Sequence, residues 1–194
     1  MLSSITPLGE QGRRRRWGRT VTAFVIASTL GGALSGVVAG AIGWLVLRDV
    51  SWNGRIGFVA ALLALGLVLD LLGRVPGPRR QVDESWLDRY RGWVYGAGFG
   101  FQLGTGVVTI VTNSAVYVAI GAAAATASPA AGSALGAVAG LLRGATILAG
   151  ARLRSPDELV RFHARMTSWR EPARRTGMAL QAVLALAAAG VLLV

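Results

Sequence analysis

The chain has 194 residues, 53% of them hydrophobic, with a mean hydropathy of +0.54 and a formal net charge of +11. It has no cysteine and one histidine, His163, which excludes disulfides, thiol redox chemistry, iron–sulfur clusters and thiolate or histidine-cluster metal sites within one chain. All twenty basic residues are arginines, and they border apolar blocks instead of forming a stripe on a soluble fold, which argues against nucleic acid as a partner.

Residues 1–19 read as a basic cytoplasmic segment carrying Arg13, Arg14, Arg15, Arg16 and Arg19. The remainder, 20–194, reads as one transmembrane helical domain, because no polar stretch approaches the ~50 residues an independent core requires. The first apolar block, 21–47, is much longer than the 7–15 residues of a signal-peptide core, so an uncleaved anchor is expected. It has a weak point at Gly31-Gly32 and small residues at every fourth position, Ser28, Gly32, Gly36 and Gly40. The second block, 56–73, fits one crossing and places Asp70 a turn from its cytoplasmic end.

In the loop that follows, Trp86, Tyr90 and Trp93 recur at helical spacing among charged residues, a pattern that anchors a helix at the interface or docks a partner. The third block, 93–127, would reach roughly 50 Å as one helix, too long for one crossing and too short for two with a turn. Three readings stay open: a strongly tilted helix, a helix projecting into the cytoplasm, or one broken near Gly104-Thr105-Gly106. Gln102, Thr105, Thr109 and Asn113 form a candidate polar midplane site, the other reading being hydrogen bonds between helices with Gln181 as a partner.

The fourth block, 130–151, repeats the small-residue rhythm at Gly132, Gly136, Gly140 and Gly144, which permits close helix packing. Arg143 lies within it, a candidate intramembrane ion pair for Asp70, or a site for an ion or anionic solute. Ser155-Pro156-Asp157-Glu158 then combines an N-cap, a proline at the first helical position and acids in the first turn. Leu159, Phe162, Met166 and Trp169 share a face opposite arginines, so an amphipathic helix in the headgroup region is expected as far as Pro172. The fifth block is 176–194. His163 falls on the polar side of the amphipathic helix.

Five spans put seventeen of the twenty arginines on one side, which sets the amino terminus in the cytoplasm and the carboxyl terminus across the membrane. The fold class is therefore an all-α polytopic bundle of about five spans. The all-arginine basic set and abundant alanine, glycine and valine point to a GC-rich bacterial source, hence a multi-pass protein of the inner membrane. Expected partners are the bilayer, anionic lipid at the cytoplasmic face, and a second copy or a membrane partner. No cofactor and no catalytic set emerges, so no enzymatic activity is expected.

Residues 96–111, Gly-Ala-Gly-Phe-Gly-Phe-Gln-Leu-Gly-Thr-Gly-Val-Val-Thr-Ile-Val, resemble the broken signature helix of the cytochrome-c-biogenesis and disulfide-reductase transmembrane family, with residues 27–32 as a first-repeat counterpart. The resemblance implies inverted three-helix repeats and kinship with small-solute exporters. The family's proline–cysteine pairs are absent, so its thiol relay transfers to no position here.

Two functions follow. The first is a small permease-like transporter with a midplane site around Thr105, Thr109 and Asn113. The second is a non-transporting scaffold or accessory subunit that holds a partner helix in its glycine grooves and docks factors on its basic loops.

Overall fold

The computed structural model describes residues 5–77, 85–106, 111 and 113–193, and every regular element among them is helical. Thr109, Thr112, Arg79, Arg80, Asp83 and Glu84 lie outside the described residues. The helices are α1 (Pro7–Gly12), α2 (Trp17–Leu47), α3 (Trp52–Leu72), α4 (Trp86–Arg89), α5 (Gly92–Thr105), α6 (Ala115–Ala125), α7 (Pro129–Ala145, extended by a 3-10 turn Thr146–Gly150) and α8 (Pro156–Val191). Three segments are long and apolar enough to cross a membrane: α2, α3 and Pro129–Gly150. Their large apolar residues point outward, Leu30, Leu34 and Leu45 on α2 and Leu65 and Leu71 on α3 all being exposed. Helices that are apolar all round need an apolar surrounding.

Helix α2 is the axis of the bundle, and glycine decides what packs against it. A Cβ on Gly96, Gly100 or Gly104 of α5 would collide with the backbone oxygen of Thr20, Phe24 or Ser28 in turn. This four-residue rhythm makes α5 run parallel to α2. On the other side a Cβ at Gly32, Gly36 or Gly40 would collide with the backbone oxygens of Gly136, Gly132 and Ser128, so α7 runs antiparallel. Main chains this close leave no room for a third helix, and such contact drives helix association in lipid. The grooves are filled from within the chain, which corrects the expectation of a partner helix there.

Helix α2 is also unbroken. Gly31 and Gly32 serve contact with α5 and α7, and the helix continues through them. The break falls in the third block, where α5 stops at Thr105 and Gly106 adopts φ +80°, which closes the helix by donating its N–H to Leu103 O. Helix α6 resumes at Ala115. It runs antiparallel to α3, with Ser114 facing Gly66 and Gly121 facing Leu62, and its far end meets Gly43 of α2. Both pieces therefore point the same way along α2, with the break near its middle.

At the carboxyl end one helix replaces the two expected. Ser155 accepts the Glu158 N–H at 3.3 Å and Glu158 accepts the Ser155 N–H at 3.1 Å, a complete capping box. The helix then passes through Pro172 without ending. Proline there removes only the bond to the Ser168 carbonyl, and that turn is exposed, where water can satisfy the oxygen. The loop before α5 also departs from expectation. The chain is extended at Tyr90 and Arg91, so Trp93 belongs to a different helix from Trp86. Trp86 turns inward to stack on Phe99, with ring centres 6.0 Å apart.

Candidate functional site

Around the break, α2, α5, α6 and α7 line an open cleft of about 600 Å³ that includes Ser35, Thr105, Gly106, Asn113, Arg143 and Thr146, with apolar walls that include Val116 and Ala119. Of the four candidate midplane residues, the structure brings Thr105 and Asn113 to this cleft. Gln102 is not among its lining residues, and Thr109 lies outside the described residues. The polar atoms of the α5 end are spent locally. Thr105 Oγ1 donates to Gln102 O at 2.8 Å, Ser35 Oγ donates to Thr105 O at 3.1 Å, and the Gly106 N–H goes to Leu103 O at 3.2 Å.

Asp70 and Arg143 do not pair, which corrects that expectation. Asp70 is buried and turned toward α6, where one oxygen accepts the Ser114 N–H at 3.0 Å and the other the Ser114 hydroxyl at 2.6 Å. Gln181 of α8 donates to the Ser114 hydroxyl at 2.9 Å and to Leu63 O at 3.4 Å. Three helices are thus joined by one fully bonded polar knot, and Gly66 leaves the room for it. A carboxylate that accepts the N–H of Ser114, the residue capping α6, also matches the positive end of that helix. The sequence signals were present, Asp70 and Gln181 in apolar blocks, but their partner was a serine that looked like ordinary helix-packing polarity.

A second knot lies at the amino-terminal end of α2. Glu10 is completely buried and accepts hydrogen bonds from Thr20 Oγ1 at 2.7 Å, from Arg13 at 3.0 Å and from the Tyr95 hydroxyl. Arg15 donates to Leu87 O at 2.8 Å and lies over the Tyr95 ring, while the Leu8 N–H donates to Leu153 O at 3.1 Å. The amino-terminal segment, read from sequence as a basic cytoplasmic segment, ties together the α4 loop, α5 and the segment after α7. Nothing in its spacing singled out Glu10, a lone acid ahead of an arginine run.

The first half of α8 is highly exposed. Val160, Met166 and Trp169 are exposed beside Arg161, Arg165 and Arg170, which hold no close ion pair among the described residues. Further along, Glu171 bonds Arg174 and Arg175, each at 2.9 Å, and hydrogen bonds from Arg174 and then Arg175 pull its carboxyl down to about 2. The Arg154 N–H, then that of Ser155, also holds Glu158 below the usual carboxylate range. His163 is exposed, with Nδ1 2.9 Å from Leu159 O, and among the described residues no group of acids and histidines could hold a metal.

The chain is similar to methylamine utilization protein MauF of Methylophilus methylotrophus, 31% identical over 128 residues, 63% of this chain and 45% of that protein. It is also similar to MauF of Methylobacillus flagellatus, 29% identical over 112 residues, 56% of this chain and 39% of that protein. The matches therefore span less than half the length of these curated relatives. No family model and no solved structure matches the chain. Two expectations are overturned by these relatives. They are named as methylamine utilization proteins, which replaces the cytochrome-c-biogenesis, disulfide-reductase and exporter resemblance and withdraws the transporter reading. The glycine-rich text behind that resemblance has a packing cause, since Gly96, Gly100 and Gly104 each abut the α2 backbone.

Proposed function

We propose that this protein is a non-enzymatic accessory component of the bacterial inner membrane that supports amine utilization by docking a cytoplasmic-side partner. The observation that carries the reading is the division of its surfaces. The small-residue grooves are closed by the chain's own helices, whereas the first half of α8 stands exposed with arginines flanking Met166 and Trp169. An arginine-flanked aromatic patch fits an acidic protein surface. Anionic lipid lying against the same arginines is a contributing contact.

The topology we infer has five crossings: α2, α3, the α5–α6 pair, α7 and the second half of α8, in a single membrane domain. The last two-part crossings are supported by packing. Buried Gln181 seats α8 against α3, and α5 and α6 succeed each other along α2. Residues 156–175 then lie on the cytoplasmic side with the amino-terminal segment.

The test is growth of the source bacterium on methylamine as sole nitrogen source. Deleting the gene should abolish or slow growth, and the wild-type gene should restore it. A triple variant, Arg161→Glu with Arg165→Glu and Arg170→Glu, should insert normally and fail to restore growth. Full restoration by the triple variant would remove α8 as the docking surface, and unaffected growth of the deletion strain would remove the amine-utilization role.

A further inference from the structure

Among the described residues, Arg143 is a cation with no counter-charge. It sits on α7 beside Ser28 of α2, whose hydroxyl bonds Gly140 O at 2.7 Å. Ser28 is eleven residues beyond Trp17 and nineteen before Leu47, so this level is about 16 Å from one end of α2 and about 28 Å from the other, within the span but nearer its Trp17 end. The guanidinium reaches the break, where a Cβ on Gly106 would come within 2.9 Å of Nη1. Among the described residues its side chain has neither a hydrogen bond nor an ion pair. The Gln102, Leu103 and Thr105 carbonyls at the end of α5 accept from other donors, and Asp70 is held by Ser114. The negative end of α5 supplies only a partial charge. An unpaired charge at this depth is costly, and in membrane proteins such a residue marks a binding function.

The cleft around it adds a polar amide, Asn113, which is exposed, and walls of alanine, valine, isoleucine and leucine. One cation in a cleft of about 600 Å³ whose other polar lining groups, Ser35, Thr105, Asn113 and Thr146, are uncharged and whose remaining walls are apolar selects for a single negative charge on a largely apolar body. We propose that this cleft binds a singly charged oxyanion carrying an alkyl or acyl tail, with Arg143 as the counter-ion and Asn113 as a second donor. The anion is a carboxylate if the ligand is a free fatty-acid-like molecule and a phosphodiester if it is an anionic lipid. This site is separate from the α8 surface, and no movement of the ligand across the membrane is implied.

The experiment measures thermal unfolding of the purified full chain. In detergent, octanoate should raise the midpoint in a concentration-dependent manner, and octanol should not. In nanodiscs, phosphatidylglycerol should raise it relative to phosphatidylcholine if the ligand is lipid. Either response supports the site only if Arg143→Gln weakens it, by roughly ten- to a hundredfold in apparent affinity, the worth of a charge-assisted pair. Should Arg143→Gln fail to fold, Ala119→Phe keeps the guanidinium and fills the cleft, and it should abolish the same response. Absence of both responses in the wild type, or their persistence in the variant that folds, overturns the proposal.

Discussion

Glu10 and Asp70 show how a single carboxylate can be made compatible with an apolar bundle. Each is fully bonded, Glu10 by Thr20, Arg13 and Tyr95, Asp70 by both donors of Ser114. Removing one partner of such a group costs more than the bond itself, because the other is left buried and unsatisfied. Ser114→Ala should therefore lower stability by about 1–3 kcal/mol, and Asp70→Ala by at least as much, read as loss of unfolding midpoint in detergent. The two effects should fall short of additive in the double variant, since they break one knot. An independent pair tests the amino-terminal anchor. Tyr95→Phe should cost roughly 1.5–3 kcal/mol, the range for a hydrogen bond to a charged group. Glu10→Ala should cost more and expose the segment around Arg13 to trypsin. If residues 1–19 were only a solvated tail, neither change would register.

At the level of elements, the glycines divide into those that hold helices together and those that do not. Gly36→Ala drives a Cβ into the Gly132 backbone and should cost about 1–3 kcal/mol or more, since backbone cannot yield as a side chain can. Gly177 of α8 has nothing within 4 Å, so Gly177→Ala should stabilise by up to about 1 kcal/mol through helix propensity. Comparing both midpoints with the wild type checks packing against mere composition. Helix α8 also carries a pH signature. The Glu171 carboxyl is depressed from 4.5 to about 2 by Arg174 and Arg175, so its contribution is complete above pH 4.5 and is lost as pH falls through 2. The helical content lost in Glu171→Gln relative to the wild type, followed by circular dichroism, should be visible at neutral pH and vanish across that window. A difference that persists at pH 2 would mean the pairing does not form. The start of this helix was legible because Ser155, Pro156 and Glu158 are local signals, whereas its continuation through Pro172 depends on an exposed turn that sequence does not show. That the third block is no plain single crossing was legible for a geometric reason, too many apolar residues for one bilayer, but tilt, projection and a break near Gly104-Thr105-Gly106 stayed open until the structure placed the break at Gly106. The partner of Asp70 and the surroundings of Arg143 were not legible, because both residues were placed by depth alone, and depth says nothing about which side of a helix faces which neighbour.

For the whole molecule the decisive question is how the third block crosses. Two short helices of 14 and 11 residues, laid end to end, reach roughly 37 Å. That is one bilayer and no more. Their contacts with α2 fix the sense: Gly96 meets Thr20, Gly104 meets Ser28, and Ala124 at the end of α6 meets Gly43, so the path advances in one direction only. A re-entrant hairpin would have brought α6 back toward Thr20. This path leaves the loops around Ser51 and Ala127 on the side opposite Gly77 and Arg154. In the five-crossing topology proposed above, the outer end is closed by Arg55, which donates to the carbonyls of Leu47, Arg48 and Val50 and so satisfies the end of α2. Its charge serves there as a cap, which is why an arginine survives on the face that the charge rule leaves nearly bare. Alkaline phosphatase fused after Ser51 or Ala127 should be active, and fused after Gly77 or Arg154 inactive. Activity at Gly77 together with silence at Ala127 would invert the bundle, place the α8 arginines outside the cell, and take the proposed cytoplasmic partner with them.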